Sequence, residues 1–471
     1  MYKAKYSYLF LIFLFIFIYS QTSYAEKIQD MPRCGESINN WTELIHECSY
    51  GAPDFLEPVY EPLYGSCYFR ATSPELEDYN NAPIYSQLQA WNSDMSKILL
   101  INGYIINTED YSINHRISGK RAMRWSPQEP NIIYHHDTNK FMKYNISSKE
   151  SQIVREFSEY TELDAHSSWE EISLNLKTLL MGTLSNGTKE IFIYDIINDN
   201  KSNIIIGNPT INGNVKNPDW FSMSPLGTYA MVQWCGGGEG NHTGLWSYDL
   251  EMNKIGKVYP DCDHSDLAVD SEGVEWYVTY THSDYTDFRG PYVIKSRLPK
   301  GFEDWRAGDD TAVKYLQETG RGVGGHISCQ GRYQDFCVMK SGRNVRWGWQ
   351  PFTAEVYMVY LDSEKENQHV ERLLHHMSYI EGSTVTVSPD GTQVLFSSRM
   401  NGTGRIDSYI IQLTQDDERF GDDTKTIECI LPPCINNTEM KSSIMKFQTD
   451  ILNSNDFLLK IIEWKKEGCI E

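Results

Sequence analysis

Ser383-Thr-Val-Thr-Val-Ser-Pro-Asp-Gly-Thr-Gln-Val-Leu-Phe-Ser-Ser398 reads as two short strands joined by a tight turn. Val385, Val387, Val394 and Phe396 alternate along it as residues of a half-buried strand do, and Pro389, Asp390 and Gly391 supply the turn. Weaker copies recur about every 50 residues. They begin at Gln89-Ala-Trp, Arg124-Trp-Ser-Pro, His166-Ser-Ser-Trp, Asp219-Trp-Phe-Ser-Met-Ser-Pro, His264-Ser-Asp-Leu-Ala-Val and His326-Ile-Ser-Cys. Each runs on into an apolar segment, as Ala230-Met-Val232 or Phe336-Cys-Val338. One such sheet cannot bury both of its faces, so the copies must stack around an axis. The fold predicted is an all-β, seven-bladed β-propeller of four-stranded antiparallel blades, with the count open by one because the first copy is poorly formed.

Length alone would suggest about three domains for 471 residues. A single ring over residues 55–413 absorbs most of them. Thirty Tyr and 12 Trp suit half-exposed sheets, and no segment sustains a helical period. Outer strands are legible at Phe141-Met-Lys-Tyr144, Ile191-Phe-Ile-Tyr-Asp195, Leu245-Trp-Ser-Tyr-Asp249, Val356-Tyr-Met-Val-Tyr360 and Tyr409-Ile-Ile-Gln-Leu413.

Residues 1–25 read as a secretory signal: Lys3 and Lys5 precede an apolar run from Leu9 to Tyr19, and Ser23-Tyr24-Ala25 ends it. A retained anchor is the alternative, although the run is shorter than a membrane helix of about 20 residues. A secreted or periplasmic monomer with no membrane span after signal removal is expected. Residues 26–54 form a loop-rich lead, and residues 414–471 an acidic tail. Within the tail, Phe457-Leu-Leu-Lys-Ile-Ile-Glu-Trp464 is either a strand that closes the ring or a short helix.

Ten cysteines fit an oxidising compartment, and no C-x-x-C pair supports a thiolate metal site. Cys329 with Cys337, flanking a predicted hairpin, and Cys429 with Cys434 are the local pairs; Cys235 with Cys262, and two of Cys34, Cys48 and Cys67, complete the expectation. The formal charge of −22 grows more negative when Lys3 and Lys5 leave with the signal. So acidic a body repels phosphate backbones, and nucleic acid is not an expected partner. Sequons at Asn40, Asn145, Asn186, Asn200, Asn241, Asn401 and Asn436 do not fix the source, because an Asn-rich chain forms them by chance.

In a propeller the innermost strands line a channel, and their first residues form its funnel. His166, His264 and His326 each stand at such a start, and His375 and His376 precede the seventh inner strand. A chain with 12 histidines places few at one structural level by chance. The ring of imidazoles could hold a divalent metal or move a proton; alternatively these residues only bond neighbouring loops. Arg321, Arg332, Lys340, Arg343 and Arg346 form a basic island opposed only by Asp335, with Trp347 and Trp349 beside it. Such a set suits an acidic sugar, or is a scatter of solvated charges. Gly236-Gly-Gly-Glu-Gly240 reads as a flexible rim turn, since Gly-Lys-Ser/Thr is missing. Neither Gly-x-Ser-x-Gly nor His-Glu-x-x-His occurs.

Val387-Ser-Pro-Asp-Gly391 with Val394-Leu-Phe-Ser-Ser398 resembles the WD40-like blades of TolB-type propellers. His264-Ser-Asp-Leu-Ala-Val-Asp-Ser-Glu-Gly273 and Gly325-His-Ile-Ser328 are similar to blades of secreted propellers related to polysaccharide lyases, the oligogalacturonate and ulvan lyases among them. The resemblance covers most of the ring and neither terminus. It implies a propeller fold and, for oligogalacturonate lyases, manganese held by clustered histidines that include a His-x-His pair; no His-x-His occurs here.

Two functions stay open on the sequence. One is a propeller that binds a glycan or protein ligand at its funnel, with His166, His375, His376, Arg321, Arg343, Arg346, Trp347 and Trp349 as contacts. The other is a lyase that cleaves an acidic polysaccharide by β-elimination. Arg332 or a metal would then neutralise the carboxylate, His264 or His326 would be the base, and Tyr285 or Tyr333 the acid.

Overall fold

A computed structural model describes residues 52–61, 64, 66–164, 171–211, 214–235, 243–260, 262, 264–281, 292–300, 313–318, 325–342, 352, 354–361, 370–376, 384–400 and 404–413. The predicted signal, most of the lead, the tail with Phe457–Trp464, and the local pair Cys429–Cys434 lie outside them. The described chain is a seven-bladed all-β propeller, mostly of four-stranded antiparallel sheets. No described helix is long and apolar enough to cross a membrane.

The quoted stretch forms the start of blade seven, Val385–Val387 followed by Gln393–Ser398. Its turn forms as the sequence indicates: Gly391 has φ +73°, Ser388 Oγ donates to Asp390 Oδ1 at 2.7 Å, and the Thr392 N–H donates to the same carboxylate at 3.0 Å. The inner strands of blades two to six are Arg121–Trp125, Glu162–Leu163, Pro218–Met223, Ser265–Val269 and Gly325–Ser328. Blade one keeps only Lys97–Leu99, Tyr104–Asn107 and Ile113–Arg116; its inner position is marked by single bridges from Pro83 and Trp91. That explains the poor first copy.

Burial follows the stacking. Leu179, Met181, Ile191 and Ile193 of blade three pack with Phe221, Val232 and Trp234 of blade four, and Val278 and Val293 of blade five pack with Ile327, Met339 and Val359 of blade six. Each sheet thus removes both faces from water against its neighbours.

One expectation is corrected. The segments read as outer strands are third strands; the outermost are Glu150–Glu156, Asn200–Ile206, Lys254–Tyr259 and Val370–His375. They carry little alternation because an edge strand is half in water. Closure comes from the N-terminal side: Cys67–Arg70 pairs with Asp407–Gln412, and Val59–Tyr60 adds a fifth strand.

Cys329 is bonded to Cys337 and Cys235 to Cys262, with Cα–Cα distances of 4.4 and 5.2 Å. Cys67 is disulfide-bonded as well. Such bonds belong to an oxidising, extracytoplasmic setting.

Candidate functional site

His264 stands immediately before the inner strand of blade five, and His326 is the second residue of the inner strand of blade six. Adjacent strands bring them together: the imidazoles stack with centroids 4.6 Å apart and planes 13° from parallel. His264 Nδ1 lies 2.8 Å from the Gly325 carbonyl oxygen. A carbonyl only accepts, so Nδ1 carries the proton, and Nε2 of a neutral His264 is left as an acceptor. Tyr85 meets His326 edge-on at 5.1 Å. Burial, with the nearby charges of Asp219 and Asp266, pushes the Tyr85 phenol up to about 12, so it remains a hydroxyl donor at neutral pH.

Below this mouth, the segment that leads into blade one crosses the bore. The Val385 N–H donates to Ser86 Oγ at 3.0 Å, Gln87 Nε2 to the Ser265 carbonyl at 2.6 Å, and Gln330 Nε2 to the Gln87 carbonyl at 2.9 Å. Gln89 Nε2 donates to the Gln330 and Val387 carbonyls at 2.9 and 3.1 Å. Blades one, five, six and seven are thereby tied across the axis.

A cavity of about 50 Å³ is lined by Gln89, Glu171, Ser222, Asp266, Gln330 and Arg332 among others. Asp266 is 2% exposed and accepts the Cys329 N–H at 2.6 Å and Gln330 Nε2 at 3.1 Å. Burial nevertheless lifts its carboxyl to about 7, against those bonds. Glu171 reaches about 8: burial raises it, the Asp266 charge adds to this, and Arg124, Arg332 and the Gln89 N–H oppose it. Burial also lowers Arg332 from its ordinary value, with Glu171 countering. Both carboxyls therefore exchange protons near neutrality.

The sign of the pH effect follows. Carboxyls whose folded pKa is raised bind protons more tightly when folded, so their contribution is full below about pH 4 and is lost as pH rises through about 7 and 8. The expected slope is at most about 1.4 kcal/mol per pH unit for each group. Urea midpoints measured from pH 4 to 9 should decline over this window, and Glu171→Gln should remove part of the decline; an unchanged slope in the variant would exclude Glu171 as its source.

The predicted residues separate into groups. His264 and His326 meet. Arg332 and Tyr333 lie past the other end of the strand that carries His326, whose remaining two residues span about 7 Å. Tyr333 is 49% exposed with φ +56°, a turn residue. His375 and His376 are corrected as funnel residues. His375 ends the outermost strand of blade six and His376 follows it; His375 Nε2 lies 3.3 Å from Glu355 Oε1 and His376 Nε2 lies 2.5 Å from the Ser341 carbonyl. Three strands stand between them and the channel. Lys340 of the basic island is fully buried and donates to the Ser397 carbonyl of blade seven. His166, Tyr285, Arg321, Arg343, Arg346, Trp347 and Trp349, like Gly236–Gly240, lie outside the described residues. Sequence reasoning missed Tyr85, Gln87, Gln89, Glu171, Asp266 and Gln330. Several sit inside the repeat copies, but only the closed ring shows that they face one bore.

No protein-family model and no curated protein sequence matches this chain. Among solved structures, it is similar to an oligogalacturonate lyase from Vibrio parahaemolyticus: TM-score 0.53, 12% identity, covering 76% of this chain and 96% of that one. An oligogalacturonate lyase in complex with manganese gives TM-score 0.51 at 13% identity, covering 78% and 98%. The RRP9 WD40 repeats give 0.42 at 10% identity, covering 74% and 97%. At these identities the likeness is one of fold.

Proposed function

We propose that this chain is an extracytoplasmic propeller that binds a glycan at the mouth of its central channel, against His264, His326 and Tyr85. The observation that carries the reading is the stacked imidazole pair with a tyrosine edge-on to it at the channel mouth. Flat rings offer an apolar face to a sugar ring, and the Tyr85 hydroxyl and His264 Nε2 are a donor and an acceptor for its hydroxyls.

The lyase reading has less support. β-Elimination needs the neutralising cation, the base and the acid around one sugar. Arg332 and Tyr333 lie beyond the opposite end of the strand from His326.

His264→Ala should weaken binding of an immobilised polyuronate or neutral glycan at least about tenfold, roughly 1.4 kcal/mol. Its thermal midpoint should barely move, because His264 is exposed. His326→Ala should weaken binding similarly. Titration across a glycan panel with intact and substituted protein is the measurement. Equal binding by the His264 variant would end the proposal, and unsaturated-product absorbance from a polyuronate would favour the lyase.

A further inference from the structure

We infer that the Cys235–Cys262 disulfide closes a latent metal site, which a thiol reductant opens for a thiophilic divalent cation of the zinc class. Cys235 follows the second strand of blade four, Cys262 lies between blades four and five, and Asp219 belongs to the inner strand of blade four. One ligand atom from each of Asp219, Cys235 and Cys262 lies within 4.8 Å of the others. This is the only such group of three among the described residues.

Several observations make the group more than a structural bond with an acid nearby. Cys262 Sγ lies 3.5 Å from Asp219 Oδ2, so the carboxylate already faces sulfur. Tetrahedral zinc with Zn–S bonds of about 2.3 Å holds two sulfurs about 3.8 Å apart. With the Cα atoms 5.2 Å apart, small side-chain rotations reach that separation. Gln233 Nε2 lies 3.5 Å from Cys262 Sγ, a donor suited to a thiolate. Two thiolates and one carboxylate make three ligands, with the fourth position left to water.

Exposure sets the order of events. Asp219 is exposed and both of these cysteines are partly exposed, whereas Cys329 and Cys337 are 3% and 0% exposed. A thiol reductant attacks an accessible sulfur first. Two reductant thiols are oxidised to their disulfide as Cys235 and Cys262 become thiols, and the cation then displaces one proton from each. Sequence gave no sign of this, because the cysteines are 27 residues apart and lack C-x-x-C spacing.

The test uses the full chain, graded reduction and cobalt(II) as the probe, with alkylation mapping of the released thiols. Reduction releasing the first two thiols should create a thiolate-to-cobalt charge-transfer band at one ion per chain, and zinc should abolish it. Untreated protein should give no band. Asp219→Asn should release the same two thiols and bind cobalt at least about tenfold more weakly, and Cys262→Ser should give no band. First thiols mapping to any cysteines other than Cys235 and Cys262, a band that survives in Cys262→Ser, or equal affinity in Asp219→Asn would each overturn the proposal.

Discussion

Glu355→Ala should lower the unfolding free energy by about 3–5 kcal/mol, the range for stripping one partner from a buried ion pair. Glu355 is 0% exposed; Arg372 Nε donates to its Oε2 at 2.7 Å, the second guanidinium nitrogen reaches Oε1 at 2.5 Å, and His375 Nε2 lies 3.3 Å away. The guanidinium also sits 5.1 Å over both Tyr64 and Phe352. Removing the carboxylate leaves that cation at 9% residue exposure without its counter-ion. Urea unfolding of the variant measures the loss, and a change under about 1 kcal/mol would refute the argument. Replacing both Glu355 and Arg372 by apolar residues of similar volume should recover most of the loss, since no charge is then stranded.

Glu355 also fixes an acid limit. Burial raises its carboxyl, but hydrogen bonds and charge from His375 and Arg372 outweigh burial and hold it below the usual value. A depressed carboxylate contributes stability above its unfolded pKa, about 4.3, and that contribution is lost as pH falls through the folded value. This limit runs opposite to the effect of Asp266 and Glu171, so stability should peak in mildly acidic solution.

Asp407→Ala is expected to cost a comparable amount, about 3–5 kcal/mol, and to act at a particular place. Asp407 is fully buried; Arg70 and Arg405 each approach a carboxylate oxygen to 2.8 Å, and Thr72 Oγ1 donates to Oδ1 at 2.8 Å. Arg70 ends the N-terminal strand that closes blade seven, and Asp407 begins the strand it pairs with. The substitution therefore strands two cations at the one seam where the chain ends meet. Amide hydrogen exchange should show Cys67–Arg70 losing protection first while Lys177–Thr183 keeps its own. Uniform loss across all blades would show that closure is not the weak point.

How much of this could be read beforehand is clear from particular residues. The turn at Ser388-Pro389-Asp390-Gly391 specifies itself through contacts within five residues, and the Cys329–Cys337 hairpin through a bond between cysteines 8 residues apart. Alternation in strands buried on both sides of a blade likewise needs no distant partner. Local chemistry thus set the fold class, the blade order and the position of His264 and His326 at strand starts. Glu150–Glu156 and Asn200–Ile206 escaped, because an edge strand half in water is under weak pressure to alternate.

The rest depends on which residues the closed ring makes neighbours. Gln87 bonds Ser265 from 178 residues away, Gln89 bonds Val387 from 298, and Thr72 bonds Asp407 from 335. The same closure moved His375 from the expected funnel to a buried contact with Glu355 and lifted the carboxyls of Asp266 and Glu171 toward neutrality. The sequence by itself determined the repeating sheet, because strands and turns are written in residues a few positions apart. Only the tertiary structure decided the seam, the plugged bore and the site, because burial and charge are properties of side chains that the ring alone brings together.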